Sequence, residues 1–198
     1  TEWHIEFEDG DKPLEVGNLL FSGGNSKAIG SVKLPERLVN ISEMMFFDSQ
    51  IEEIVIPSTV TTVDKQAFYS SKKLHTVTFR SSEDPDRMLT VADGNGTDSS
   101  YTKGVFSDNI SLRSVTLPDE LTRVADFMFY NCAALEEITI PNSVSNRGSA
   151  SFAVGRAAFM NCTSLRTVNF ETGGKGEITI GGSGYYPLSS GTGSLDYS

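Results

Sequence analysis

One line of residues returns through this chain at near-constant spacing. An aliphatic residue leads, two β-branched or aliphatic residues follow at alternate positions, then proline, then a second apolar pair, then a phenylalanine. It reads Ile29, Val32, Leu34, Pro35, Leu38, Ile41, Met45, Phe46 in one pass and Ile51, Ile54, Ile56, Pro57, Val60, Val63, Ala67, Phe68 in the next. Leu112, Val115, Leu117, Pro118, Leu121, Val124, Met128, Phe129 repeat it, as do Leu135, Ile138, Ile140, Pro141, Val144, Val154, Ala158, Phe159. Repeats of this length are single supersecondary units that cannot bury their own flanks. They stack into a solenoid.

The repeats start at Ile29, Ile51, Leu74, Leu112, Leu135 and Leu165. The basic step is about 22 or 23 residues, so the repeat from Leu74 carries about 15 extra and that from Leu135 about 7. The excess is placed at 80–104 and 145–153. Val32/Leu34, Ile54/Ile56, Val77/Phe79, Val115/Leu117, Ile138/Ile140 and Val168/Phe170 have the period of two of a strand, and β-branched residues favour it. Proline has no amide hydrogen for a ladder, so Pro35, Pro57, Pro118 and Pro141 mark a corner. The segment around each phenylalanine is expected to turn the chain back as a short helical or 3₁₀ turn. Phe46, Phe68, Phe106, Phe129 and Phe159 are expected to stack.

Hydrophobic residues make up only 38% of the chain. A repeat array tolerates this because each coil buries only its inner residues against its neighbours. The chain carries a formal net charge of −10. That excludes a phosphate-neutralising nucleic-acid partner and adsorption to anionic membranes. No apolar run is long enough to span a bilayer as a helix. Residues 1–28 include Trp3-His4-Ile5-Glu6-Phe7 and Leu14-Glu15-Val16, which alternate off the template and read as an N-terminal β-hairpin cap. The start at Thr1 reads as that of a trimmed or mature chain. Residues 171–198, with Ile178-Thr179-Ile180 among Gly-rich turns, read as a C-terminal cap and flexible tail.

Cys132 and Cys162 occupy one slot of successive repeats, three residues after Phe129 and Phe159. Ser49, Ser71 and Asn109 hold it elsewhere. The slot reads as a ladder of small polar residues at a tight inner corner, with a disulfide between adjacent coils as the alternative.

Taken together, these slots resemble the BspA-type leucine-rich repeat. The stretches Leu112–Leu135 and Leu135–Leu165, with Tyr130-Asn131-Cys132 and Met160-Asn161-Cys162, carry the likeness best. It covers about residues 29–170. It departs where Phe79 is followed by Arg80 instead of proline, the template resuming near Tyr101 and Val105-Phe106, and again between Val144 and Val154. The resemblance implies a right-handed leucine-rich-repeat solenoid of five to six repeats, mostly β, with a parallel sheet on one face. It also implies a bacterial, secreted or cell-surface protein associated with adhesion. The motif itself is scaffold and transfers no ligand residue.

Catalysis finds little support in the sequence. Glu52-Glu53 and Glu136-Glu137 recur in register but stand three coils apart, roughly 14–15 Å at the strand spacing. Paired glycosidase carboxylates need about 5–9.5 Å. His4 and His75 are the only histidines, and no nucleophile elbow is present. No catalytic residue and no cofactor is expected. The ligand-face candidates are the outward strand residues Lys33, Glu53, Thr76, Thr78, Thr116, Glu137, Thr139 and Asn169, a Ser/Thr-rich surface without an aromatic anchor. A calcium loop is the alternative reading of Asp93, Asn95, Thr97 and Asp98, although the EF-hand pattern fails at Asp98 and Gly104. The sequence therefore predicts a monomeric, non-catalytic, extracellular or cell-surface binding module for a protein or glycan, such as host extracellular matrix. The alternative is a structural spacer that displays another domain.

Overall fold

The computed structural model describes residues 3–8, 10–23, 29–94, 103–144 and 153–172. Ten short strands run in chain order: β1 Trp3–Glu6, β2 Ile29–Lys33, β3 Asn40–Ile41, β4 Glu53–Ile56, β5 Thr62–Val63, β6 Thr76–Phe79, β7 Thr90–Val91, β8 Ser114–Thr116, β9 Glu137–Ile140 and β10 Thr167–Phe170. Every pairing among them is parallel. The chain is a solenoid, mostly β, of stacked leucine-rich coils.

Each coil contributes to three ladders. The first holds the predicted strands, in blocks β1-β2, β4-β6-β8 and β9-β10. Ile54 pairs with Val77 and Val77 with Val115, all buried, while Glu53, Thr76 and Ser114 line up on the outer side. The prolines end these strands as expected. The carbonyls of Pro35, Pro57, Pro118 and Pro141 each accept from the amide three residues on, closing a turn. The second ladder is β3-β5-β7, extended by bridges Leu14–Leu38, Leu89–Leu121 and Val124–Val154.

The third ladder is the phenylalanine corner, and it is not a helix. Backbone amides here alternate in direction. Met45, Phe47 and Ser49 donate to carbonyls three residues back in their own coil, whereas Met44, Phe46 and Asp48 donate to Lys65, Ala67 and Tyr69 of the next. This alternation needs left-handed backbone. Met44, Gln66, Phe127 and Ala157, each two residues before a phenylalanine, have φ between 49° and 58°. Asp48, Ser70, Asp108, Asn131 and Asn161, each two residues after one, have φ between 51° and 63°. A helix requires right-handed φ throughout, so the expected helical or 3₁₀ turn gives way to consecutive turns that spend half their amides on the neighbouring coil. Asp and Asn tolerate this conformation best.

Phenylalanines fill the corner. Phe21, Phe46, Phe68, Phe106, Phe129 and Phe159 form one column with successive centroids 5.3, 5.0, 4.9, 5.6 and 5.6 Å apart. Beside it runs the polar ladder. Ser71 Oγ donates to the carbonyl of Phe46, Asn109 Nδ2 to that of Phe68, Cys132 Sγ to that of Phe106 and Cys162 Sγ to that of Phe129. The slot thus reaches back one coil to a carbonyl that would otherwise be a buried, under-satisfied acceptor. Both cysteines are buried and unbridged. Burial pushes the Cys132 thiol well above its usual range and that of Cys162 up to about 12.

Two expectations are corrected. Residues 3–23 do not form a hairpin. β1 pairs in parallel with β2, Leu14 bridges to Leu38 and Phe21 stacks on Phe46, so this stretch is a full coil. Its glycine at the corner, Gly23, lies so close to the next coil that a Cβ would sit 1.6 Å from the Asp48 carbonyl oxygen. The expected single insertion at 80–104 is instead two interruptions. The template resumes first at Leu89-Thr90-Val91, which continues the second ladder in register with Thr62-Val63, and again, as expected, at Val105-Phe106; Tyr101 lies outside the described residues. A loop at 80–88 replaces the proline corner, and a second excursion leaves after Gly94 and returns at Lys103. Most of that excursion, and most of the 145–153 insertion, lie outside the described residues, as does the chain after Thr172.

Replacing Phe106 by Ala at the middle of the column is expected to cost about 3–5 kcal/mol in denaturant unfolding, since the rings on either side cannot close the void. The thiols give a second check. At pH 8 the native protein should not react with a thiol reagent such as DTNB, and both cysteines should react once it is unfolded.

Candidate functional site

The first ladder presents one outward face, and all eight predicted ligand-face residues lie on it. Alternation along each strand sends Val and Ile inward and leaves their neighbours outside. Glu53 pairs with Thr76, Thr78 with Thr116 and Thr139 with Asn169. Lys33, Glu53, Thr116, Glu137, Thr139 and Asn169 are exposed, and Thr76 and Thr78 are half-buried. Lys33 is already engaged by the Glu6 carboxylate, whose pKa is lowered by that hydrogen bond and by the lysine's charge. β6 and β8 stand between β4 and β9. The two glutamate pairs are therefore as remote from each other as the repeat count implied.

A groove of about 750 Å3 opens on this face at its C-terminal end, over β8, β9 and β10. Thr116, Glu137, Thr139 and Asn169 line it, and so do residues that the strand pattern alone did not single out: Arg113, Glu136, Arg166 and Glu171. The first three share one slot, directly after the repeat leucines Leu112, Leu135 and Leu165. Reading that slot down the array would have exposed the column His75, Arg113, Glu136, Arg166. The groove wall is hydroxyl, amide and charged, over a floor of Val115 and Ile138.

The second feature is a polar network at the base of the two longest excursions. Asp126 is only 7% exposed. Its carboxylate accepts from Arg123 Nη2 at 3.0 Å, from Arg156 Nε at 2.8 Å and from the Arg156 amide at 3.0 Å. Asp93 accepts from the Asp126 amide at 2.8 Å and pairs with Arg123. Val124–Asp126 thereby sits between Asp93-Gly94 on one side and Ala153–Arg156 on the other. The stems of both excursions meet the same stretch of the second ladder. Of the proposed calcium ligands, Asp93 is committed to this network, and Asn95, Thr97 and Asp98 lie outside the described residues. Among the described residues no cluster of three His, Cys, Asp or Glu side chains is placed to hold a metal ion.

The model of the BspA type leucine rich repeat region matches the sequence in six copies, over residues 6–84 and 99–176. The chain belongs to this family. Three solved structures are similar to it: a leucine rich cell surface protein from Faecalibacterium prausnitzii A2-165, and leucine-rich repeat proteins from Eubacterium ventriosum ATCC 27560 and Bacteroides ovatus ATCC 8483. Sequence identities are 16%, 23% and 19%, with TM-scores of 0.36, 0.35 and 0.35. The alignments cover 86%, 76% and 79% of this leucine-rich repeat chain but 60%, 47% and 53% of those structures. It therefore spans about half of their length. No curated protein matches it. Among the described residues no helix is long and apolar enough to cross a membrane.

Asp126→Ala removes the acceptor shared by two arginines and a backbone amide. The expected loss is about 2–3 kcal/mol, read by urea unfolding. A loss below about 0.5 kcal/mol would show that the network does not hold the two stems.

Proposed function

We propose that this chain is a non-catalytic binding module displayed outside the cell, which adheres as a monomer to a protein or glycan on host or neighbouring cells. The supporting observation is the division of labour within each coil. The recurring slots are consumed by packing and by hydrogen bonds between coils, while the outer strand positions vary and stay exposed. Among the described residues the seven strands of the first ladder present them side by side, with a groove at one end. This is the geometry of a broad recognition surface. The family and the cell-surface description of one similar structure agree with an extracellular setting. Both thiols are buried at the phenylalanine corner.

Screening the 198-residue chain against immobilised extracellular-matrix proteins and a glycan array should give saturable binding to at least one member. Silence across both panels would contradict the adhesion reading and favour a spacer that holds another domain away from the surface.

A further inference from the structure

The first ladder is interrupted where the groove lies. β8 pairs with β6, and β9 with β10, yet no ladder joins β8 to β9 although the two strands are neighbours. Backbone polar groups along the facing edges therefore lack a ladder partner, and water or a ligand can satisfy them. The ladder also breaks between β2 and β4, but there the exposed cation Lys33 is closed onto Glu6.

Charges at the groove are open as well. In the earlier coils, opposite charges on different coils close into ion pairs: Glu6 with Lys33 and Glu36 with Arg80. Arg113, Glu136 and Arg166 alternate in sign on three successive coils and are all exposed. Among the described residues none of the three comes within ion-pair distance of an opposite charge. Glu137, next to Glu136, is exposed and open too.

A ligand that answers this groove must bring both signs, acids for the arginines and a base for the glutamates. An acidic glycan brings only the first, and the lining offers no aromatic ring for a sugar to stack on. Nucleic acid meets a chain of net charge −10. An extended polypeptide brings both signs, together with backbone donors and acceptors for the bare strand edges. Resting on the reading of the strand face as a binding surface, we propose that the groove over β8, β9 and β10 takes an extended, mixed-charge segment of a partner protein, with Arg113 and Arg166 meeting its acids and Glu136 and Glu137 its bases.

The test uses the full chain and four fluorescein-labelled Val/Thr decapeptides: one mixed in charge, one acidic, one basic, one neutral. The mixed peptide should bind at least about tenfold tighter than the others. The double variant Arg113→Glu with Arg166→Glu should weaken it by about tenfold or more and shift preference to the basic peptide. Lys65→Glu, exposed after β5 and off this face, should leave affinity within about twofold. All three positions are exposed, and unchanged circular dichroism and Tm establish that the variants fold. Absent or equal binding of the four peptides, or an indifferent double variant, overturns the proposal. So does capture of a sialylated or uronic-acid glycan that the double variant abolishes. A matrix ligand that still binds the double variant would retain the binding module and remove the groove as its site.

Discussion

Everything in this molecule depends on how each coil hands half of its corner amides to the next. A chain that turns back on itself every twenty-odd residues must satisfy its backbone along the array, because a single coil has too little interior to hide unpaired groups. The two β ladders do this along the flanks. At the corner no strand is possible, and left-handed residues on either side of the phenylalanine redirect alternate N–H groups along the solenoid axis. The phenylalanine then has one place to go, on top of its counterpart. Each stacked pair adds about 0.5–1.5 kcal/mol to what burial alone provides. Left-handed backbone at Met44, Gln66, Phe127 and Ala157 costs about 1–2 kcal/mol per residue. The hydrogen bonds and ring contacts that it permits offset that cost. The Ser, Asn and Cys slot completes the corner by giving the carbonyls of Phe46, Phe68, Phe106 and Phe129 a donor from the following coil.

This economy explains why the repeat tells so much about architecture and so little about ligand. Its recurring positions face inward or lie in the corner. What distinguishes this chain is where the frame is broken: the replaced proline corner at 80–88, the excursions pinned by Asp93, Asp126 and Arg156, and the gap between β8 and β9. The first of these is a loop. The third is a defect in the ladder itself, and it coincides with the groove and with ionic side chains that have no counter-charge among the described residues.

The strands, their inward residues, the proline corners and the phenylalanine column were legible because each has a period that physics ties to one geometry. Other features were not. Trp3–Glu6 is a strand, but the alternation that suggested a hairpin does not say whether its partner runs parallel or antiparallel. Phe21 escaped the template because no proline corner or repeat leucine precedes it at the usual spacing, although Leu20-Phe21 parallels Met45-Phe46. Leu89-Thr90-Val91 hid inside an over-long repeat, since three residues are too few to show a period. Left-handed φ was foreshadowed by Asn131 and Asn161, which favour it, but not by Gln66 or Phe127, where the tertiary hydrogen bonds impose it. Of the candidate site, the hydroxyl-rich strand face followed from alternation. Arg113 and Arg166 did not, because they precede the strands and only the stacked register brings them to the groove.

Site-resolved hydrogen exchange tests the central claim most directly. The amides of Phe21, Phe46, Phe68, Phe106 and Phe129 each donate to the coil that follows. If inter-coil bonding at the corner holds the array together, all five should exchange only through cooperative opening, with opening free energies within about 1 kcal/mol of one another. Rapid exchange at Phe21 and Phe46 while the later three stay protected would contradict it, since the first coils would then be an appendage and not part of one continuous stack.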